Sequence, residues 1–371
     1  MDPIPVLLML PPAGGTRAEA WVARARRAAA LDLLARLHEL REAGPVWVLA
    51  AEADDRREME NHGARALASE PGDFHFGRAL ASILEREGWP GVAYFGGASA
   101  PLADGGFLRE AFRHAAPGRP VVNNIHSTDW AVVRDSRALI DLADRFPTDN
   151  PLGWVLAHEA RLEVYELPAS AASRADIDTP TDAALLRGHP AAGPELRTFL
   201  EEVPQGVVST IARLRGVIST AARTLAVIGR VSSDAWQALE SRRRIWVRVF
   251  SEERGMLASG RLARGEVRSL IGGMVDRVGP EAFMREVAGM ADGVVWDTRV
   301  WMAQRGPWPS ASDRFAADLG LSQEVADPAL RTLTEAVAGA PIPVLTGGHG
   351  VVAGGLLAML ESIEAGSGGA G

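Results

Sequence analysis

The chain of 371 residues contains no cysteine and no lysine, and each absence excludes a kind of chemistry. Without cysteine there are no disulfide bonds, no thiolate nucleophiles and no cysteine-ligated zinc. Without lysine, all 39 residues of the lysine and arginine total are arginines, so lysine-dependent mechanisms are excluded as well. Any catalysis has to rely on carboxylates, imidazoles, hydroxyls, guanidinium groups and the backbone.

Long apolar runs and an excess of positive charge are also missing. No stretch approaches the roughly 20 uninterrupted apolar residues of a membrane-spanning helix. The apolar N-terminus, MDPIPVLLML, lacks the basic segment of a signal peptide. The net charge of -8 argues against a general binder of nucleic acids or anionic membranes. We therefore expect a cytoplasmic protein that binds small molecules, with neither nucleic acid nor membrane as a partner; a homodimer stays open.

The first half of the chain alternates short apolar strands with helical patterns. Such alternation is typical of a mostly parallel sheet covered by helices on both faces. The sequence therefore predicts an α/β domain over residues 1–190. Strands are expected at 4–10, 46–51, 92–97, 119–124 and 161–168, and helices at about 19–43 and 76–87.

The second half of the chain has a different sequence pattern. A stretch rich in Gly, Pro and Ala predicts a linker over 191–205. The segments beyond it predict a mainly α-helical C-terminal domain over 206–362, followed by a flexible Gly-rich tail, 363–371. Helices are expected at 206–228, 233–243, 265–278, 280–290, 312–320 and 328–338, and strand-like pieces at 245–250 and 342–345.

The stretch RADIDTPTDAALL places three aspartates within seven positions where a helix begins. Thr179 suits the N-cap, Pro180 the first helical position, and Asp182 completes a capping box in the first turn. Asp176 and Asp178 precede the cap and follow a strand-like run. They belong either to a solvated loop or to a divalent-cation site at the carboxyl edge of the sheet.

Turns with glycine or asparagine follow three of the expected strands. The first strand runs into PPAGGTR, whose backbone N–H groups suit either phosphate binding or an ordinary turn. The third strand ends in FGGASAPL. The fourth ends in Asn123 and Asn124, followed by Ser127 and Asp129.

In the order of these strands, their turns and the aspartate-rich motif, residues 4–188 resemble the nucleotidyltransferases of GT-A-like fold. They resemble especially the 2-phospholactate guanylyltransferase and molybdenum-cofactor nucleotidyltransferase group, whose first domain often ends in Asp-x-Asp-Thr-Pro-x-Asp. The resemblance implies Mg²⁺-dependent transfer of a nucleoside monophosphate from a nucleoside triphosphate, such as GTP, to a small phosphorylated or hydroxylated acceptor in cofactor biosynthesis. The residues it implies are Pro12, Ala13, Gly14, Gly15, Thr16 and Arg17 at the triphosphate, Asn123 and Asn124 at the acceptor, and Asp176 and Asp178 at the metal, with Arg17 and Asp178 in catalytic roles.

One departure from the family pattern bears on catalysis. The third strand normally ends in an aspartate that binds the metal, and here Ser99 stands at that place in the nucleotide site. A neutral hydroxyl is a poorer Mg²⁺ ligand than a carboxylate. A nucleotide-binding or sensor protein without turnover, with a helical interaction domain, is therefore the alternative. A glycosyltransferase of the same fold is a third possibility. The absence of a D-x-D motif from the third strand argues against it.

Charged residues lie within apolar or aromatic stretches of the second half. They form either a network of ion pairs that ties elements together or a second small-molecule pocket, because an unpaired buried charge is costly. The residues concerned are Arg248 and the SEERGM segment after it, Asp297, Arg299, Asp313, Arg314, Asp318 and His349.

Overall fold

A computed structural model describes residues 2–68 and 73–368. The strands within these ranges are β1 Ile4–Leu10, β2 Ala43–Ala50, β3 Arg65–Ala68, β4 Val92–Gly96, β5 Val121–Val122, β6 Trp130–Val133, β7 Tyr165–Glu166, β8 Thr224–Gly229, β9 Trp246–Ser251, β10 Gly293–Asp297 and β11 Val344–Gly347. The helices are α1 Arg17–His38, α2 Ala53–Asn61, α3 Phe76–Glu87, α4 Gly105–His114, α5 Arg137–Asp141, α6 Leu152–His158, α7 Ala171–Arg174, α8 Pro180–Leu185, α9 Pro194–Phe199, α10 Gln205–Ser219, α11 Ser233–Arg242, α12 Leu270–Val278, α13 Pro280–Ala288, α14 Arg299–Gln304, α15 Ala311–Asp318, α16 Pro328–Ala338 and α17 Gly354–Gly368. Short 3-10 helices lie at Ala143–Arg145, Leu200–Glu202, Ser322–Glu324 and His349–Val352.

The chain divides into two compact units. The first unit comprises Met1–Gly14, Ala23–Asp176 and Ala191–Thr198, and the second comprises Gly15–Val22, Ile177–Pro190 and Phe199–Gly371. The domain boundaries at 190 and 206 stay a prediction from the sequence. The stretch expected to be a linker contains helix α9.

The first unit is built on a seven-stranded sheet in the order β3-β2-β1-β4-β6-β5-β7. Strand β6 runs antiparallel to β4 and β5, and the other pairings are parallel. The expected α/β fold with a mostly parallel sheet is therefore confirmed.

Both faces of this sheet are buried, as its apolar strands require. Along β1, Leu8 joins one core cluster and Leu7 the other, because successive side chains of a strand point to opposite faces. Leu34 of α1 packs into the cluster with Leu8, and Leu80 of α3 packs into the cluster with Leu7. The predicted covering of both faces by helices is confirmed.

The second unit is mainly helical, as expected, and it also holds a four-stranded parallel sheet in the order β11-β10-β8-β9. The sequence predicted β9 and β11 with shifted ends but neither β8 nor β10. The helix expected over 206–228 is wrong beyond Ser219, where α10 ends and a turn leads into β8. Strand β8 is buried along nearly its whole length, and such a short apolar run has no periodicity that distinguishes it from a buried helix.

Among the described residues, no helix is long and apolar enough to cross a membrane.

Candidate functional site

The first unit has a topological switch point between β1 and β4. The sheet order runs from β1 to β3 in one direction and continues with β4 in the other, and ligands of open α/β sheets bind outside the carboxyl ends of such strands. Met9 pairs with Gly96 at this edge, and the Gly97 N–H donates to the Met9 carbonyl over 2.7 Å. A Cβ on Gly97 would lie 2.6 Å from Leu10 Cδ2, so glycine is required for this close approach.

The turn after β1 is open to solvent. Residues 11–13 are exposed and Gly14 is half-buried, so the expected phosphate-binding segment Pro12, Ala13 and Gly14 is accessible beside the carboxyl end of β1.

The rest of this turn, from Gly15 to Arg17, is grouped with the second unit. Thr16 caps α1: its N–H and its hydroxyl donate to Glu19 Oε2 over 3.1 and 2.7 Å. The exposed Arg17 guanidinium donates to Glu324 Oε1 over 2.9 Å. An anion at this helix end therefore has to displace the Glu19 carboxylate.

The turn after β4 is tightly held. Ser99 is 5% exposed, and its hydroxyl donates to the Gly96 carbonyl over 2.7 Å. The next residue, Ala100, has a φ of 55°, in the left-handed region that a residue with a Cβ rarely adopts. Backbone strain of this kind is often found at functional loops.

The two asparagines at the end of β5 have different environments. Asn123 is 1% exposed and holds the loop before β6: its amide donates to Asp129 Oδ2 over 2.8 Å, and its Oδ1 accepts from the Asp129 N–H over 2.9 Å. Asn124 is half-buried and accepts from the His126 N–H over 3.0 Å. Asn123 positions Asp129, and Asn124 stabilises a turn.

A buried tyrosine next to this edge was not singled out by the sequence. The Tyr94 hydroxyl donates to Asp149 Oδ2 over 2.7 Å, and burial followed by the charge of Asp149 raises the pKa of Tyr94 well above its usual value. The Gly96 N–H donates to the Asp129 carbonyl over 2.9 Å. Asp129 and Asp149 thus lie at the carboxyl end of β4, where Ser99 replaces the expected acid. No local motif could have revealed the Tyr94 contact, since 55 residues separate its partners.

The expected capping box at the start of α8 is confirmed. Asp182 Oδ2 accepts from the Thr179 N–H over 2.7 Å, and the Thr179 hydroxyl accepts from the Asp182 N–H over 3.4 Å. Of the two aspartates before the cap, Asp176 is half-buried and closes a segment of the first unit. Asp178 is exposed and belongs to the second unit, where its N–H donates to Asp182 Oδ2 over 3.2 Å.

Asp182 is the titratable group of this motif with the most perturbed environment. It is 2% exposed, and within the described part of the chain its Oδ1 has no hydrogen-bond partner. Burial, reinforced by the nearby charge of Asp178, raises the pKa of Asp182 to about 7. Hydrogen bonds from Thr179 oppose this rise without cancelling it.

The raised pKa predicts a stability that falls as the pH rises. Between about pH 4 and pH 7 the folded chain keeps a proton on Asp182 that the unfolded chain has lost, so the free energy of unfolding decreases across this window. We expect a decrease on the order of 2–4 kcal/mol from this group. Urea unfolding at pH 5 and pH 7.5 measures it. Asp182→Asn should remove that share of the pH dependence, and an unchanged dependence in the variant would contradict the assignment.

The side chains assigned to Mg²⁺ do not by themselves form a complete set of ligands. Across residues 2–68 and 73–368, no group of three or more histidine and acidic side chains is placed to hold a metal ion. Ser99, where the sequence led us to expect an acidic ligand, donates its hydroxyl hydrogen to the Gly96 carbonyl. Asp176 and Asp178 would therefore need further ligands from water or from the nucleotide phosphates, and Mg²⁺ binding at this pair stays a prediction.

Comparisons with known proteins find solved structures of low similarity to this chain. No family model matches the chain, and no curated protein matches it. A cytidylyltransferase from Leptospira borgpetersenii is 15% identical, with 58% of this chain and 96% of that chain covered and a TM-score of 0.40. A nucleotidyl transferase from Methanothermobacter is 13% identical, with 57% of this chain and 100% of that chain covered and a TM-score of 0.36. These values assign neither a family nor a reaction to the chain.

Proposed function

We propose that the chain binds a nucleoside triphosphate at the carboxyl edge of the seven-stranded sheet and transfers its nucleoside monophosphate to a small phosphorylated or hydroxylated acceptor. The observation that carries the proposal is the switch point between β1 and β4, where both strands run into glycine-containing turns. The turn after β1 is accessible, and that after β4 approaches β1 too closely for any side chain at Gly97.

Transfer of a nucleoside monophosphate depends on positioning of the substrates and on charge neutralisation more than on a nucleophilic side chain. An acceptor oxygen attacks the α-phosphorus, and the bond from that phosphorus to pyrophosphate breaks. The backbone N–H groups of residues 13–15 and the exposed Arg17 guanidinium are the donors we assign to the triphosphate, and Pro12, which has no N–H, is assigned to it by contact alone. Asp176 and Asp178 are the carboxylates we assign to Mg²⁺, and Asn124 is the polar side chain we assign to the acceptor. A role in cofactor biosynthesis and a cytoplasmic location belong to this proposal.

A specific observation favours a second candidate, a nucleotide-binding protein without turnover. The Ser99 hydroxyl is buried and already bonded to Gly96, so it does not replace the charge of the missing carboxylate. Such a protein would bind nucleotide at the same edge and release no pyrophosphate.

Calorimetric titration of the full chain with GTP, CTP, ATP and UTP, with and without Mg²⁺, tests the proposal. We expect one nucleotide to bind in a Mg²⁺-dependent manner, with at least roughly tenfold weaker binding in Asp178→Ala, because a carboxylate ligand is lost. Exposed Glu240 on α11 offers the control Glu240→Ala, which should bind like the wild type. Pyrophosphate release on addition of phosphorylated acceptors separates the two candidates, and binding of none of the four nucleotides would contradict both.

A further inference from the structure

The second unit has a carboxyl edge of its own, formed by its four-stranded sheet. Its four strands end in register: Gly229 pairs with Ser251, Trp296 with Ile228, and Asp297 with Gly347. The order β11-β10-β8-β9 reverses between β8 and β10, so this edge also has a switch point.

A fixed ion pair lies at this switch point. Asp297, which ends β10, is fully buried and accepts from Arg230 Nε over 2.6 Å and from Arg230 Nη2 over 3.2 Å. Although burial opposes ionisation, the Arg230 charge holds the pKa of Asp297 below its usual value. A Cβ on Gly229 would lie 2.6 Å from Asp297 Cβ, and Gly229 has a φ of 114°, so glycine is required here on both grounds. Asp297 thus orients the Arg230 guanidinium through Nε and Nη2, and Nη1 of Arg230 does not take part in the ion pair.

Two more basic side chains lie at the same edge: Arg254 in the loop after β9 and His349 in the 3-10 helix after β11. His349 interacts electrostatically with Arg230, Arg254, Asp297 and Asp178. Arg254 and His349 are both exposed, and within the described residues neither side chain forms a hydrogen bond or an ion pair. Glu253, next to Arg254, adopts a φ of 56° and is fixed by two hydrogen bonds from Arg261, over 3.1 and 2.8 Å.

His349 is exposed at the start of the 3-10 helix that follows β11. The surrounding protein, followed by the Arg230 charge, lowers the pKa of His349 to about 4. At neutral pH the imidazole is therefore uncharged and offers one N–H. The positive charge at this edge comes from Arg254 and from Arg230, which Asp297 partly neutralises, and exposed Asp178 is a further acid that opposes it.

The geometry points to a second binding site, for a phosphate group, formed by Arg230, Arg254 and His349 at the carboxyl edge of the four-stranded sheet. These three side chains come from the segments after three different strands, β8, β9 and β11, and all have unused N–H donors, which suits a tetrahedral anion that only accepts hydrogen bonds. The phosphate is either the free ion or part of a phosphomonoester.

Titration of the full chain with inorganic phosphate, followed by ³¹P NMR, tests this site. We expect saturable binding that Arg254→Gln weakens at least roughly tenfold, because a charge-assisted pair is lost. His349→Gln should weaken it by a smaller factor. Arg213 is exposed on α10, which precedes β8, and Arg213→Gln should bind like the wild type. Since Arg254 is exposed, its variant should fold normally, and urea midpoints check this.

The outcomes are separate from those of the nucleotide proposal. Absence of phosphate binding, or binding that persists in both Arg254→Gln and His349→Gln, would overturn the second site. Loss of phosphate binding in Gly97→Val alone would also overturn it, because the anion would then lie at the seven-stranded sheet. A parallel titration with glycerol phosphate identifies the source: tighter binding of the ester indicates a phosphomonoester ligand, and tighter binding of the free ion indicates inorganic phosphate.

Discussion

Replacing Arg299 by methionine is expected to lower the free energy of unfolding by about 3–5 kcal/mol. Arg299 and Asp318 form a bidentate pair, with distances of 2.9 Å from Nη1 to Oδ1 and 2.5 Å from Nη2 to Oδ2. Their side chains are only 5% and 1% exposed. The variant leaves the Asp318 carboxylate buried without its counter-charge, and this desolvation cost is the source of the effect.

A double variant separates the cost of an orphaned charge from the value of the pair. We expect Arg299→Met with Asp318→Leu to recover most of the loss, because two apolar side chains need no counter-charge. Exposed Arg264, paired with Glu266 over 2.8 Å, supplies the control: Arg264→Met should change the stability by less than about 1 kcal/mol. Urea unfolding measures all three variants, and an Arg299→Met variant within about 1 kcal/mol of the wild type would contradict this role of the pair.

Gly97→Val is expected to weaken nucleotide binding at least roughly tenfold and to destabilise the chain by about 1–3 kcal/mol. The added Cβ would lie 2.7 Å from the Met9 carbonyl oxygen and 2.9 Å from Leu10 Cα. Because these are backbone atoms, the clash has to separate β1 from the turn after β4. The displaced turn then distorts the edge where the proposal places the triphosphate.

Gly105→Ala is the matched control, since a Cβ at Gly105 meets no atom within 4 Å. In the first turn of α4, alanine should leave nucleotide binding unchanged and raise the stability by a few tenths to about 1 kcal/mol. Calorimetry with the bound nucleotide and urea unfolding measure both variants. Wild-type affinity in a folded Gly97→Val variant would show that the nucleotide lies elsewhere.

The elements with strong local signals could be predicted from the sequence. Strand β1 and helices α3 and α16 have the predicted boundaries. The continuous apolar run of β1 marks a doubly buried strand, and the Asp327 side chain caps α16 at the Leu330 N–H over 2.8 Å. Thr179 and Asp182 form the predicted capping box. This box is also a local signal, because its two residues are only three positions apart in the sequence.

The arrangement of the sites could not be predicted, because it depends on partners far apart in the sequence. Arg230 and Asp297 are separated by 67 residues and meet only because β8 and β10 are neighbours. The sequence indicates neither strand, so it does not indicate their shared edge either. Asn123 shows the same limit: the resemblance implies a role for it at the acceptor, but its bonds to Asp129 depend on the fold and could not be predicted from its position.

Hydrogen–deuterium exchange of the full chain, with and without the nucleotide found by titration, tests the central claim most directly. The proposal predicts slower exchange of the amides of residues 13–16 and 97–100, at the carboxyl ends of β1 and β4. It predicts no change in residues 230–232, which follow β8. Protection confined to this second edge, or absent from both, would contradict the assignment of the nucleotide to the seven-stranded sheet.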